Sequence, residues 1–124
     1  MATVDGRRQI DQVIAAAHFM LLPSRAETFG HVLCEANAFG VPCLAAAVGG
    51  IPTVIRDGVN GRLYPVDAGA DAYADDIASL MRDRDAYRAL TRTSFAEFEA
   101  RLSYDAAART VRALLEPLRS RRDP

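Results

Sequence analysis

The sequence predicts an α/β fold: half of a doubly wound parallel sheet, about three strands with helices on both faces. Two observations carry this. The short unbroken apolar runs His18-Phe19-Met20-Leu21-Leu22 and Pro42-Cys43-Leu44-Ala45-Ala46-Ala47 suit strands covered on both faces of a parallel sheet. Around them apolar residues recur at three-and-four spacing, the period of helices with one buried stripe. Alternation of the two patterns implies βαβ units.

Taken in order, Arg7 to Ala17 place Ile10, Val13, Ile14 and Ala17 on one helical stripe. A strand over residues 18 to 22 follows, closed by Pro23, and then a loop from Ser24 to Phe29. From Gly30, the residues Val32, Leu33, Ala36 and Phe39 keep helical spacing, and Gly40 is placed to end that helix in a left-handed cap. The second strand spans residues 42 to 46, with Pro42 tolerated at its first position, and Gly49-Gly50 breaks the run. The glycine pair serves either a turn or a close backbone approach. A helical turn near Pro52 to Ile55 leads to Asp57-Gly58 and Asn60-Gly61, which are turn signals, and then to a third strand at residues 61 to 64. Three amphipathic stretches finish the chain. They run through Tyr73, Ile77 and Leu80, then Tyr87 to Leu102, then Tyr104, Ala108, Val111, Leu115 and Leu118. Arg119-Ser120-Arg121-Arg122 reads as a solvated helix end.

A length of 124 residues fits one domain. Sheets usually have about four to six strands, and the opening helix needs a strand before it, so residues 1–124 read as a single partial domain that starts partway through the wind. Fifteen basic against 16 acidic residues argue against nucleic acid or an anionic membrane as the main partner. Every basic residue is Arg, which excludes lysine Schiff-base chemistry and a Walker-type phosphate loop. The longest apolar stretch, Val41 to Val48, is too short for a transmembrane segment. Cys34 and Cys43 read as buried structural thiols. With no signal peptide in view, they point to a reduced, cytoplasmic compartment.

The chemistry concentrates between Pro23 and Ala36. This segment leaves the carboxyl end of the first strand and opens a helix, the place where open α/β sheets bind ligands. Amides of the first helical turn, near Gly30 to Val32, together with the helix dipole suit a phosphate. Glu27 precedes the helix, and Glu35 lies about 7.5 Å beyond Gly30 along its axis, at about 1.5 Å per residue. A carboxylate accepts two hydroxyl hydrogen bonds, so the pair fits a diphosphate ligand carrying a sugar ring at each end, as a nucleotide sugar does. The bland alternatives are a helix-dipole partner for Glu27 and a solvated helix face for Glu35.

Four consecutive blocks carry a resemblance. They are Glu27-Thr28-Phe29-Gly30-His31-Val32-Leu33-Cys34-Glu35, Ala36 to Pro42, Val48-Gly49-Gly50-Ile51-Pro52 and Asp57 to Pro65. In this order they resemble the C-terminal half of the nucleotide-sugar-binding domain of GT-B fold glycosyltransferases, a Rossmann-like domain. The resemblance is to group 1, or family 4, the retaining type with an E-x7-E motif, and it covers residues 18–118. It implies hexosyl transfer from a nucleoside-diphosphate sugar with retention of configuration, independent of metal and without a cofactor. Glu27 becomes the catalytic residue at the donor hexose. The substrate-binding set is Thr28, Phe29, Gly30, His31, Val32 and Glu35, with amides of Phe29, Gly30 and His31 on the sugar, amides near Val32 facing the diphosphate, and Glu35 on the ribose.

The sequence also departs from the family pattern. Thr53 stands where many relatives have Glu. The upstream Arg and Lys ligands of the diphosphate, the first strands and the acceptor domain with its His have no counterpart in these residues. The isolated chain is therefore expected to be inactive or nearly so, and to be completed by an N-terminal acceptor domain or a second chain. The alternative is a non-catalytic nucleotide-sugar-binding or assembly module. An unpaired edge at residues 18 to 22 and the apolar stripe of the last helix predict a homodimer. Asp83-Arg84-Asp85 matches a D-x-D metal motif but lies between two helices, so a helix boundary is the expected role. His18 is expected to be packed, and His31 to sit partly exposed in the first helical turn. A glycoside hydrolase would need no phosphate pocket.

Overall fold

The computed structural model describes residues 3–119. Three parallel strands, β1 (Met20–Leu22), β2 (Cys43–Ala46) and β3 (Gly61–Tyr64), form one sheet in the order β1-β2-β3. Met20 pairs with Cys43, and Cys43 with Gly61, so all three carboxyl ends lie along the same rim. The helices are α1 (Val4–Ala16), α2 (His31–Ala38), α3 (Ile51–Val54), α4 (Ala70–Arg82), α5 (Arg84–Glu97) and α6 (Tyr104–Arg119). A single π-helical turn, Phe98–Leu102, joins α5 to α6.

Alternation along β2 explains the layers. Cys43 and Ala45 face a core with Ile14 of α1, Leu33 and Ala36 of α2, and Ile51 and Val54 of α3. Leu44 faces the other way, onto Tyr64 and onto Tyr73 of α4. Helices thus cover both faces, and β2 is buried throughout.

Local signals account for most boundaries. Thr3 caps α1 by accepting from the Gly6 amide at 3.2 Å. Gly40, at φ 70°, follows the end of α2 in the left-handed region. Asp83 caps α5, its Oδ1 accepting from the Ala86 amide at 3.0 Å, which is the helix boundary expected for the Asp83-Arg84-Asp85 run.

Four readings need correction. The first run is a strand only from Met20, and it is not covered on both faces. With one neighbour, it leaves Leu21 46% exposed over an apolar groove of about 320 Å³ lined by Pro23, Tyr73 and Ile77. Of the α1 stripe only Ile14 is buried, because among the described residues no element covers Ile10 and Val13, the latter 71% exposed. The stretch from Tyr87 to Leu102 is not one α-helix, since the π turn intervenes and the Ser103 amide bonds the Phe98 carbonyl at 2.9 Å. His18 is exposed before β1, its ring 6.0 Å from that of Tyr87. Arg119 ends α6; Ser120 to Arg122 lie outside the described residues.

Candidate functional site

The loop after β1 and the glycine pair after β2 meet at the carboxyl rim, because these strands are neighbours. Gly49, at φ 55°, and Gly50 lie against the backbone of Glu27 and Thr28. The Gly50 amide donates to the Thr28 carbonyl at 3.0 Å. Any side chain at either glycine would collide with those carbonyls, so this is a close backbone approach as well as a turn.

Glu27 is half-buried, and its Oε1 accepts from the Thr28 amide at 3.1 Å. Gly30, buried at φ 79°, is the N-cap of α2 and has no side chain to close the first helical turn. Phe29 stands edge-on to His31, ring centroids 5.3 Å apart. Val32 is half-buried against the core. One turn further on, Glu35 Oε1 faces Arg7 Nη1 at 3.5 Å. Arg7 is held in turn by Asp11 at 3.3 Å.

Phe29, His31 and Glu35 line one cavity of about 450 Å³ with Arg7, Cys34 and Tyr104. Glu27 and Thr28 stand on the Gly49 side of the loop and do not line it. Of the two carboxylates, only that of Glu35 lines this cavity. Among the described residues, no cluster of three or more His, Cys, Asp or Glu is placed to hold a metal ion.

Behind α2 lies a buried polar pair. Asn60 Nδ2 donates to Asn37 Oδ1 at 2.8 Å and to the Val54 carbonyl at 2.9 Å, while Asn60 Oδ1 accepts from the Arg56 amide at 2.7 Å. Asn37 donates to the Val41 carbonyl at 3.0 Å. Both thiols are unpaired and buried; burial raises the Cys34 pKa, and more strongly that of Cys43.

The site is thus a strand-end loop seated on a glycine pair, with an open helix start and a carboxylate one turn on. The glycosyl transferases group 1 family model covers residues 2–96, which include the loop from Glu27 to Gly30, α2 and the glycine pair. The chain belongs to this family. It is 44% identical over 109 residues to D-inositol 3-phosphate glycosyltransferase of Mycolicibacterium smegmatis, covering 88% of this chain and 24% of that protein. The enzyme of the same name from Mycobacterium marinum is 39% identical over 114 residues, 91% of this chain and 24% of that one. The crystal structure of Anabaena HepE in complex with UDP superposes with a TM-score of 0.74 at 25% identity, covering 86% of this chain and 29% of that one. Sucrose-phosphate synthase from Thermosynechococcus elongatus gives 0.72 at 30%, covering 87% and 27%. These matches place the sheet as part of a GT-B, Rossmann-like domain. The chain spans about a quarter of the relatives' length, 24% of the first.

Sequence reasoning missed Arg7. Its i,i+4 pairing with Asp11 was legible. Its approach to Glu35 depends on the packing of α1 against α2, which no spacing reports.

Proposed function

We propose that the chain supplies part of the donor site of a retaining, E-x7-E type glycosyltransferase of family 4 that transfers a hexosyl group from a nucleoside-diphosphate sugar without a metal. The observation that supports it best is the Glu27–Gly30 loop held at the rim by backbone contact with Gly49 and Gly50, beside an uncapped helix start. Glu27 meets the hexose hydroxyls near the reacting carbon. Amides of Phe29, Gly30 and His31 hold the same sugar, with Thr28 beside them, and those near Val32 face the diphosphate. Glu35 takes the ribose hydroxyls, Arg7 holding one of its oxygens. Departure of the diphosphate needs positive charge more than a strong acid, and the helix start supplies part of it. An acceptor domain or a second chain supplies the rest, so the isolated chain turns over slowly or not at all. HepE in complex with UDP and with UDP-glucose is consistent with a nucleotide-sugar ligand.

The open edge of β1 and the bare face of α6 favour a second reading: a non-catalytic nucleotide-sugar-binding or assembly module, most simply a homodimer. The buried unpaired thiols suit a cytoplasmic location. Among the described residues, no helix is long and apolar enough to cross a membrane.

Titration of the chain with UDP and UDP-glucose, with EDTA or Mn²⁺, tests the donor site by amide resonances. Shifts at Gly30 and Glu35 at millimolar ligand are expected without metal. Glu35→Gln weakens both ligands about tenfold, on the scale of about 1.5 kcal/mol for a lost hydrogen bond to a charged group. Glu27→Gln removes only what the sugar adds. A requirement for Mn²⁺, or silent Gly30 and Glu35 resonances, overturns the assignment. Sugar transfer or donor hydrolysis by the chain alone would exclude the non-catalytic reading.

A further inference from the structure

Arg101, in the π turn, is far along the chain from the donor loop and makes no hydrogen bond to it, yet the two are joined by a short series of backbone contacts. Its Nη1 donates to the Thr53 carbonyl at 2.6 Å and its Nη2 to the Val54 carbonyl at 2.8 Å. Its Nε donates to Glu97 Oε2 at 2.9 Å. Thr53 and Val54 are the last residues of α3, where a helix leaves carbonyls without partners in the next turn. The π turn inserts an extra residue into the α5–α6 connection, and such insertions often mark functional sites.

At its other end, α3 begins on Gly50. The Thr53 amide returns to the Gly50 carbonyl at 3.0 Å, and the Gly50 amide bonds Thr28 at 3.0 Å. With four residues, α3 is about 6 Å long at about 1.5 Å per residue, so a grip on one end sets the orientation of the other. A planar guanidinium on two successive carbonyls fixes that orientation in a way that one ammonium cannot. Asn60 holds the Val54 carbonyl from a second direction at 2.9 Å.

We propose that Arg101 is a positioning residue for the donor loop. By gripping the last carbonyls of α3 it fixes Gly49 and Gly50 against Glu27 and Thr28, and so sets where the Glu27 carboxylate and the Phe29 to His31 amides stand. Calling that loop the donor site rests on the function proposed above.

The test compares amide exchange and UDP titration for the wild-type chain, Arg101→Met, Arg101→Lys and Tyr64→Phe. The last removes the 2.6 Å bond to Asp76 on the opposite face of the sheet and serves as a control for plain destabilisation. In Arg101→Met the Gly50 amide is expected to exchange about tenfold faster and UDP to bind about fivefold more weakly, with Arg101→Lys between it and the wild type. Tyr64→Phe lowers Tm and leaves both readouts unchanged. Should Arg101→Met not fold, Arg101→Lys carries the comparison. Wild-type Gly50 exchange and UDP affinity in both Arg101 variants would overturn the proposal. If wild-type chain shows no UDP shifts, the donor reading fails, and Gly50 exchange still decides whether Arg101 positions the loop.

Discussion

Gly49 lies so close to Glu27 that a Cβ built on it would stand 1.7 Å from the Glu27 carbonyl oxygen. At Gly50 the corresponding distance, to the Thr28 oxygen, is 2.3 Å. Both obstacles are backbone atoms of the loop that carries the candidate site, so neither can swing aside as a side-chain tip would. The glycine pair after one strand is thus a seat for the loop after its neighbour.

Gly49→Ala is expected to destabilise the chain by on the order of 3 kcal/mol, from a strained positive φ and the collision together. Gly6→Ala, in the first turn of α1 with only the Thr3 hydroxyl 3.4 Å from the added methyl, should change stability by less than about 1 kcal/mol, in the favourable direction. Urea denaturation of the two variants checks the contrast. Equal midpoints would contradict the seat.

The buried Asn37–Asn60 pair matters more for stability than the exposed ion pairs. Asn60→Ala strands the Arg56 amide and Asn37 Oδ1 and leaves the Val54 carbonyl to Arg101 alone, at about 1 to 3 kcal/mol for a buried polar group left unpaired. Arg7→Gln breaks pairs whose members are exposed or half-buried at the surface, worth about 1 kcal/mol at most. Denaturant midpoints should rank the two variants in that order, and the reverse order would contradict this account.

The strands were legible in the sequence at 18 to 22, 42 to 46 and 61 to 64, against Met20–Leu22, Cys43–Ala46 and Gly61–Tyr64 in the structure. Apolar runs bounded by Pro and Gly report local chain chemistry, which is why they were readable. Val13 and Leu118 sit on clean helical stripes and yet are exposed, because periodicity tells which face is apolar and not whether anything covers it. Asn60 looked like a turn residue, and its side chain is a buried junction between α2 and α3. The grip of Arg101 depends on contacts 47 and 48 residues apart in sequence, beyond any local pattern. At the site, spacing singled out Glu27, Gly30 and Glu35, while the seating of the loop on Gly49 needed the sheet order.

Stability should fall at alkaline pH. Burial raises the pKa of Cys34, Cys43, Tyr64 and Tyr73, and at Tyr64 the bond to Asp76 adds to it. A raised pKa means that the folded chain keeps protons that the unfolded chain releases. The contribution is complete below the unfolded values, about 8.5 for a thiol and about 10 for a tyrosine, and is lost as pH rises toward the folded ones. Thermal melts followed by circular dichroism should give a Tm that declines progressively above about pH 8.5. A flat or rising Tm through pH 10 would contradict the burial of these groups.

The chain should self-associate, most simply as a homodimer. Among the described residues strand β1 has β2 on one side only, so its other edge presents unpaired backbone groups beside the exposed Leu21. On α6, Val111, Leu114, Leu115 and Leu118 are all exposed, Leu114 to 70%, which makes a continuous apolar strip on a helix with a single buried residue, Ala106. Surfaces of this kind find a partner or aggregate. Two-fold pairing covers the same patch on both copies at once and leaves no open surface for growth, so a closed dimer is favoured over a fibre. Light scattering across a concentration series should show the mass of a dimer, and Leu115→Glu should shift it toward monomer by placing a charge in the strip, while Leu21→Lys does the same if the strand edge is the contact. A stable monomer at high micromolar concentration would show that both surfaces tolerate water, and the dimer would fall.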